Sequence, residues 1–115
     1  MSKRIPQVNS LIKKELSRII LREVDFPEGV LATITRVETS SDLKEAKVFV
    51  AVIPDRQIEK VFVILNKIVY FIQQKLNERL RMRPIPRIKF EKEETTKEAA
   101  RIEELLEEIN KEDRA

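Results

Sequence analysis

Between Arg79 and Phe90 the chain reads RLRMRPIPRIKF, with cations and bulky apolar residues alternating through two prolines. Arginine dominates this run, and its planar guanidinium can make paired hydrogen bonds to phosphate oxygens that a lysine cannot. The chemistry offered is recognition of a polyanion. Little else is available: there is no histidine or cysteine, so the soft and borderline ligands for zinc, copper or iron are missing, as are thiol nucleophiles and disulfides. Gly29 is the single glycine, too few for a phosphate-cradling loop. Glu91, Glu93 and Glu94 could in principle act as acid and base, but a charge run of this kind reads as a solvated face. No enzyme, no cofactor and no metal are expected.

A second concentration of positive charge lies at the start of the chain. The candidate RNA-binding residues are therefore Lys3, Arg4, Lys14, Arg18 and Arg22 in the first region, and Lys75, Arg79, Arg81, Arg83, Arg87 and Lys89 in the second. Residues 1–90 hold 18 Lys and Arg against 10 Asp and Glu, a net of +8, whereas residues 91–115 hold 5 against 10, a net of −5. A basic body carrying an acidic tail suits a polyanion partner, although cations flanking a core strand and pairing with that tail would leave the same pattern. Lys and Glu enrichment also accompanies heat adaptation. One tyrosine and five phenylalanines give no platform for stacking unpaired bases, so shape and phosphate contacts should dominate any RNA recognition.

The elements that must hold these cations follow from periodicity. Ile5, Val8, Ile12, Leu16, Ile19 and Ile20 share one arc of an amphipathic helix, with Leu11 and Leu21 pointing toward its polar side. "DFPEG" stops that helix. VLATITRVETS and AKVFVAVI are short, β-branched runs joined by polar residues, and they predict an antiparallel hairpin whose second strand is central. Asp55 is placed to cap a following helix, whose apolar stripe runs through Ile58, Val61, Phe62, Leu65, Ile68, Val69, Ile72, Leu76 and Leu80. Carried from Asp55 to Met82 this helix would measure roughly 42 Å at 1.5 Å per residue, too long for a compact domain. A bend is expected within Lys67–Phe71, and an end near Leu80–Met82. Pro84 and Pro86 then force an extended path into a last strand over Arg87–Phe90.

The closing residues predict a short amphipathic helix with Thr95 and Glu98 as a capping box and a stripe of Ile102, Leu105, Leu106 and Ile109. The expected organisation is a basic domain over residues 1–90 and an acidic helix or tail over 91–115. The order helix, strand, strand, helix, helix, strand gives an α+β architecture with a three-stranded sheet covered on one face by helices. No secretory signal or membrane-spanning stretch is read, which predicts a soluble, intracellular chain.

Four stretches resemble the ribosome-binding factor A family. They are VNSLIKKELSRIILREV, DFPEGVLATITRVETSSDLKEAKVFV, FIQQKLNERLRMRPIPRIKF and, more weakly, RIEELLEEI. Within the second, Asp25, Pro27, Gly29, Ser40, Asp42, Leu43, Ala46 and Lys47 fall where the family pattern has such residues. The resemblance implies a type II KH-like fold in a cytoplasmic, bacterial, non-enzymatic factor. Such a factor binds the immature small ribosomal subunit and supports late maturation of its rRNA, including the 5′ region. Small-subunit ribosomal proteins are a further partner class, and a monomer is expected. Two positions depart from the pattern. The family breaks its paired helices at Ala-x-Gly, where this chain has Ile68, Val69 and Tyr70, the helix-bend region. Gln73 stands where the family often has arginine, which removes one potential phosphate contact. The rival reading is a protein-interaction module that uses the apolar helix faces and binds no RNA.

Overall fold

The computed structural model describes residues 4–93. Lys3, the capping box and the stripe of the closing residues lie outside them. Helix α1 spans Arg4–Glu23, strand β1 Leu31–Thr39, strand β2 Glu45–Ile53, helix α2 Ile58–Arg79 and strand β3 Arg87–Lys92, with a single 3₁₀ turn over Asp55–Gln57 before α2. The sheet order is β1-β2-β3, with β1 antiparallel and β3 parallel to the central β2. The α+β reading therefore holds, and the expected central strand is central.

One face of the sheet is buried under the two helices. Ala46, Val48, Val50 and Val52 of β2 meet Ile34 and Val37 of β1 and Ile88 and Phe90 of β3, and all are buried. Over them pack Val8, Ile12, Leu16, Ile19 and Ile20 of α1, and Val61, Phe62, Leu65, Ile72 and Leu76 of α2. These are the stripes that periodicity selects. Burial of such side chains contributes about 1.5–3 kcal/mol each. On the other face of the sheet Phe49 is half-buried and Ile53 exposed; the Arg36 guanidinium lies 3.8 Å above the Phe49 ring and covers it.

The expected bend is absent: α2 is one uninterrupted helix through Ile68, Val69 and Tyr70, so the second and third helices anticipated are a single element. No glycine or proline falls within it, and β-branched residues lower helix propensity by only a few tenths of a kcal/mol each. The length argument fails at the ends. The α-helical part begins at Ile58 and stops at Arg79, with Leu80 extended, so its 22 residues measure roughly 33 Å. Asp55 makes no side-chain capping bond, and the turn it opens is a 3₁₀ turn. The stop at Arg79 lies one residue short of the expected range.

Two connections have local causes. Gly29 takes φ +79° at the third place of a turn closed by the Val30 N–H donating to the Pro27 carbonyl (3.1 Å). In the hairpin loop, Ser40 Oγ donates to Asp42 Oδ1 at 2.6 Å and the Lys44 N–H donates to the same oxygen at 3.0 Å. These bonds, the Ser40 one foremost, hold the Asp42 carboxyl below its ordinary pKa. Leu43 adopts φ +62° in this loop with its side chain buried.

Two outcomes follow for stability. Leu65→Ala should cost about 2–5 kcal/mol in urea unfolding, because Leu65 is fully buried, whereas Tyr70→Ala, at a position 74% exposed, should stay within about 0.5 kcal/mol. Asp42 has a depressed folded pKa, so its contribution is complete above the unfolded value and is lost as the pH falls through the folded one. Asp42→Ala should lower Tm at neutral pH, and the gap to the parent should close in a series of acidic melts.

Candidate nucleic-acid interface

The second cationic region surrounds the passage from α2 into β3. After Arg79 the backbone turns extended, and Pro84 and Pro86 carry it to Arg87, whose N–H donates to the Lys44 carbonyl at 2.9 Å. The anchor of this passage is a residue whose role periodicity does not reveal. Gln73, half-buried on α2, donates from Nε2 to the Pro86 carbonyl at 3.1 Å and accepts the Ile88 N–H at Oε1 at 2.8 Å. The same Nε2 donates to Asn77 Oδ1 at 3.1 Å. Its amide thus takes the place of a neighbouring strand for the first residues of β3. Expected as the loss of a phosphate contact, Gln73 is instead the fastener that fixes the Arg83 to Arg87 turn.

Gln73, Asn77, Arg83, Ile85 and Arg87 line a surface hollow of about 380 Å³. Arg83 and Arg87 are exposed, and neither is paired with a carboxylate among the described residues. Arg83 Nη1 reaches only the Met82 carbonyl, at 3.4 Å. Arg81 is exposed in the same turn. Since the Asn77 carbonyl oxygen is occupied by Gln73, its NH2 group is the end left for a ligand. Two guanidinium forks, an amide donor and the apolar Ile85 form a surface able to take phosphate oxygens beside a sugar.

Arg79 is used differently. Its Nη1 lies 3.3 Å from Glu15 Oε2, and the other Glu15 oxygen lies 3.7 Å from Arg18 Nη1. One carboxylate on α1 therefore gathers a cation from each helix and leaves a net positive charge, joining the end of α2 to the α1 stripe of Lys14, Arg18 and Arg22 at successive turns. Sequence reading counted Glu15 only as an offset. Arg4 opens α1.

The remaining candidates do not join this cluster. Lys75 lies on α2 with its ammonium 5.4 Å from the Phe71 ring centre. Lys89 points to the open face of the sheet, paired in register with Lys47, and its ammonium lies 3.6 Å from Glu91. In a strand successive side chains alternate faces, so the cations of an alternating run that enters β3 cannot all share one surface. Ile68, Val69 and Tyr70 make no bend; Ile68 and Val69 are half-buried against the core and Tyr70 is exposed.

The model of the family described as ribosome-binding factor A matches residues 4–106. The chain belongs to that family. A Staphylococcus epidermidis ribosome-binding factor A is 34% identical over 112 residues, which cover 96% of this chain and 97% of that protein. The crystal structure of ribosome-binding factor A from Thermus thermophilus matches with a TM-score of 0.67 at 24% identity, over 76% of this chain and 94% of that one. A model of the factor from the same organism, fitted into a cryo-EM map of its complex with 30S, matches with a TM-score of 0.59 at 24% identity, over 72% of this chain and 88% of that one. The fold is KH-like, as the resemblance implied.

If Gln73 fastens the turn, Gln73→Leu should lower stability by about 1–3 kcal/mol in urea unfolding, since it strands the Pro86 carbonyl and the Ile88 N–H. Gln73→Glu keeps the acceptor for Ile88 and loses the donor to Pro86. Its unfolding midpoint should fall between those of the parent and the leucine variant.

Proposed function

We propose that this protein is a non-catalytic assembly factor that binds the immature small ribosomal subunit and assists its late maturation, including processing at the 5′ end of its rRNA. Family membership supports the ribosomal partner, and the Thermus thermophilus relative fitted into a 30S complex supports the small subunit. The observation that carries the RNA contact is the hollow between α2 and β3. There Arg83 and Arg87 stand exposed, unpaired with any described carboxylate, on a turn fixed by Gln73. Arg81 and the α1 stripe of Lys14, Arg18 and Arg22 extend the surface along the backbone of a structured RNA. Arg79 contributes mainly by tying the two helices, because Glu15 already holds its guanidinium. Lys3 and Arg4 would add charge at the start of α1, while Lys75 and Lys89 would act from the margins.

Recognition of this kind depends on phosphates and shape, so it should be salt-dependent. Each phosphate contact contributes about 0.7–0.9 to the slope of log affinity against log salt. Arg83→Gln with Arg87→Gln should weaken binding to immature subunits and reduce the slope by about 1.4–1.8, measured by sedimentation at a series of salt concentrations. Lys60→Gln with Lys67→Gln, elsewhere on α2, should leave the slope near the parent value. An unaltered slope in the arginine variant would refute the assignment, and binding that ignores salt would favour contact through the apolar helix faces instead.

A further inference from the structure

Where α1 ends and β1 begins, Ile20, Leu21, Val24, Phe26, Leu31 and Ala32 line an apolar groove of about 340 Å³. Leu21 is 85% exposed and Leu31 58%, large values for aliphatic residues beside a groove. Along the same helix Leu11 is 40% exposed, and Lys14, Arg18 and Arg22 stand between and beside these leucines. An apolar groove bordered by cations fits an amphipathic acidic helix. Strand addition fits less well. β1 is an edge strand, but its register shifts between Ile34 and Arg36, and Arg36 and Glu38 put charge on the edge.

We propose that this groove is covered by the chain's own closing segment, residues 94–115, through Ile102, Leu105, Leu106 and Ile109. The start of that segment favours it. The Glu93 N–H donates to the Val50 carbonyl at 3.1 Å, while its carboxylate reaches across to β1, accepting from Thr35 Oγ1 at 2.8 Å and from Arg36 Nε at 3.2 Å. Thr35 adjoins Ile34, which lines the groove. The chain therefore leaves the body already tethered to the strand that forms one wall. Ile102 follows nine residues later, a reach of up to about 30 Å, against about 10 Å for the two strand spacings to be crossed. Charge agrees as well. Residues 94–115 carry 4 Lys and Arg against 8 Asp and Glu, a net of −4, whereas residues 1–22 carry 6 against 1, a net of +5. The four apolar residues recur at helical spacing, with Glu103, Glu104, Glu107 and Glu108 filling the remaining arc.

The chain lacks cysteine, so Glu104→Cys creates a single attachment point for a nitroxide label on the full-length protein. In a ¹⁵N-labelled sample, the amide signals of Ser17, Leu21, Phe26 and Leu31 should lose most of their intensity while those of Tyr70 and Lys89 keep theirs. Adding Leu105→Ser and Leu106→Ser should restore the lost signals. Uniform loss, no loss, or loss centred on Val63 and Tyr70 or on the open sheet face overturns the proposal. A mixture of nitroxide-labelled unenriched protein with unlabelled ¹⁵N protein should show no loss; loss at the same amides there assigns the groove to a second copy and likewise overturns it.

Discussion

β3 runs parallel to β2, and a parallel neighbour cannot be reached by a tight turn. The chain must cross over the sheet and return, which here takes the whole length of α2. Such a return leaves the first residues of the new edge strand with backbone groups in need of partners. The Gln73 amide supplies them from the helix itself, on both a carbonyl and an N–H. The position and direction of the arginines before and within β3 depend on that bond pair and on burial of Ile88 and Phe90 beneath it. A flexible arginine loop would lose entropy on meeting RNA; a loop fastened at its far end loses less.

Charge in this protein is organised in two styles. Around Glu15, a partly shielded carboxylate on α1 draws Arg18 and Arg79 together and links the helices. Around the α2 to β3 turn, Arg81, Arg83 and Arg87 are left facing solvent without a described carboxylate to quench them. The first arrangement stabilises by a modest amount, since exposed pairs are worth about 0–1 kcal/mol. The second leaves charge available for a partner. Even the open sheet face follows this division: Arg36 lies over Phe49 and is held by Glu38 and Glu93.

Much of the fold was legible because apolar residues repeat with the period of their element. The stripes on α1 and α2 named the buried residues nearly one for one, and alternation placed β2 at the centre. What escaped were features fixed by tertiary pairing. The bend expected at Ile68 to Tyr70 came from a length that included residues outside the helix, and the lack of glycine there was the better guide. Asn9 is another case. Its side-chain oxygen accepts from both the N–H and the hydroxyl of Thr39, at 3.0 and 2.5 Å, tying α1 to the end of β1, and nothing in the local pattern marks it. For the candidate interface, residue type indicated the cations but not their grouping. Alternation along β3 separates Lys89 from the hollow, and a single glutamate decides which arginines are engaged.

Among the described residues, no polar or charged side chain is buried, and no buried side-chain nitrogen or oxygen lacks a partner. The interior is held by apolar contact alone, while nearly all ionic interactions sit at the periphery. Electrolytes can therefore strengthen or screen attraction between this surface and an anionic partner while leaving the scaffold beneath almost indifferent. A protein built this way can be released from a polyanion by its ionic surroundings without first being loosened.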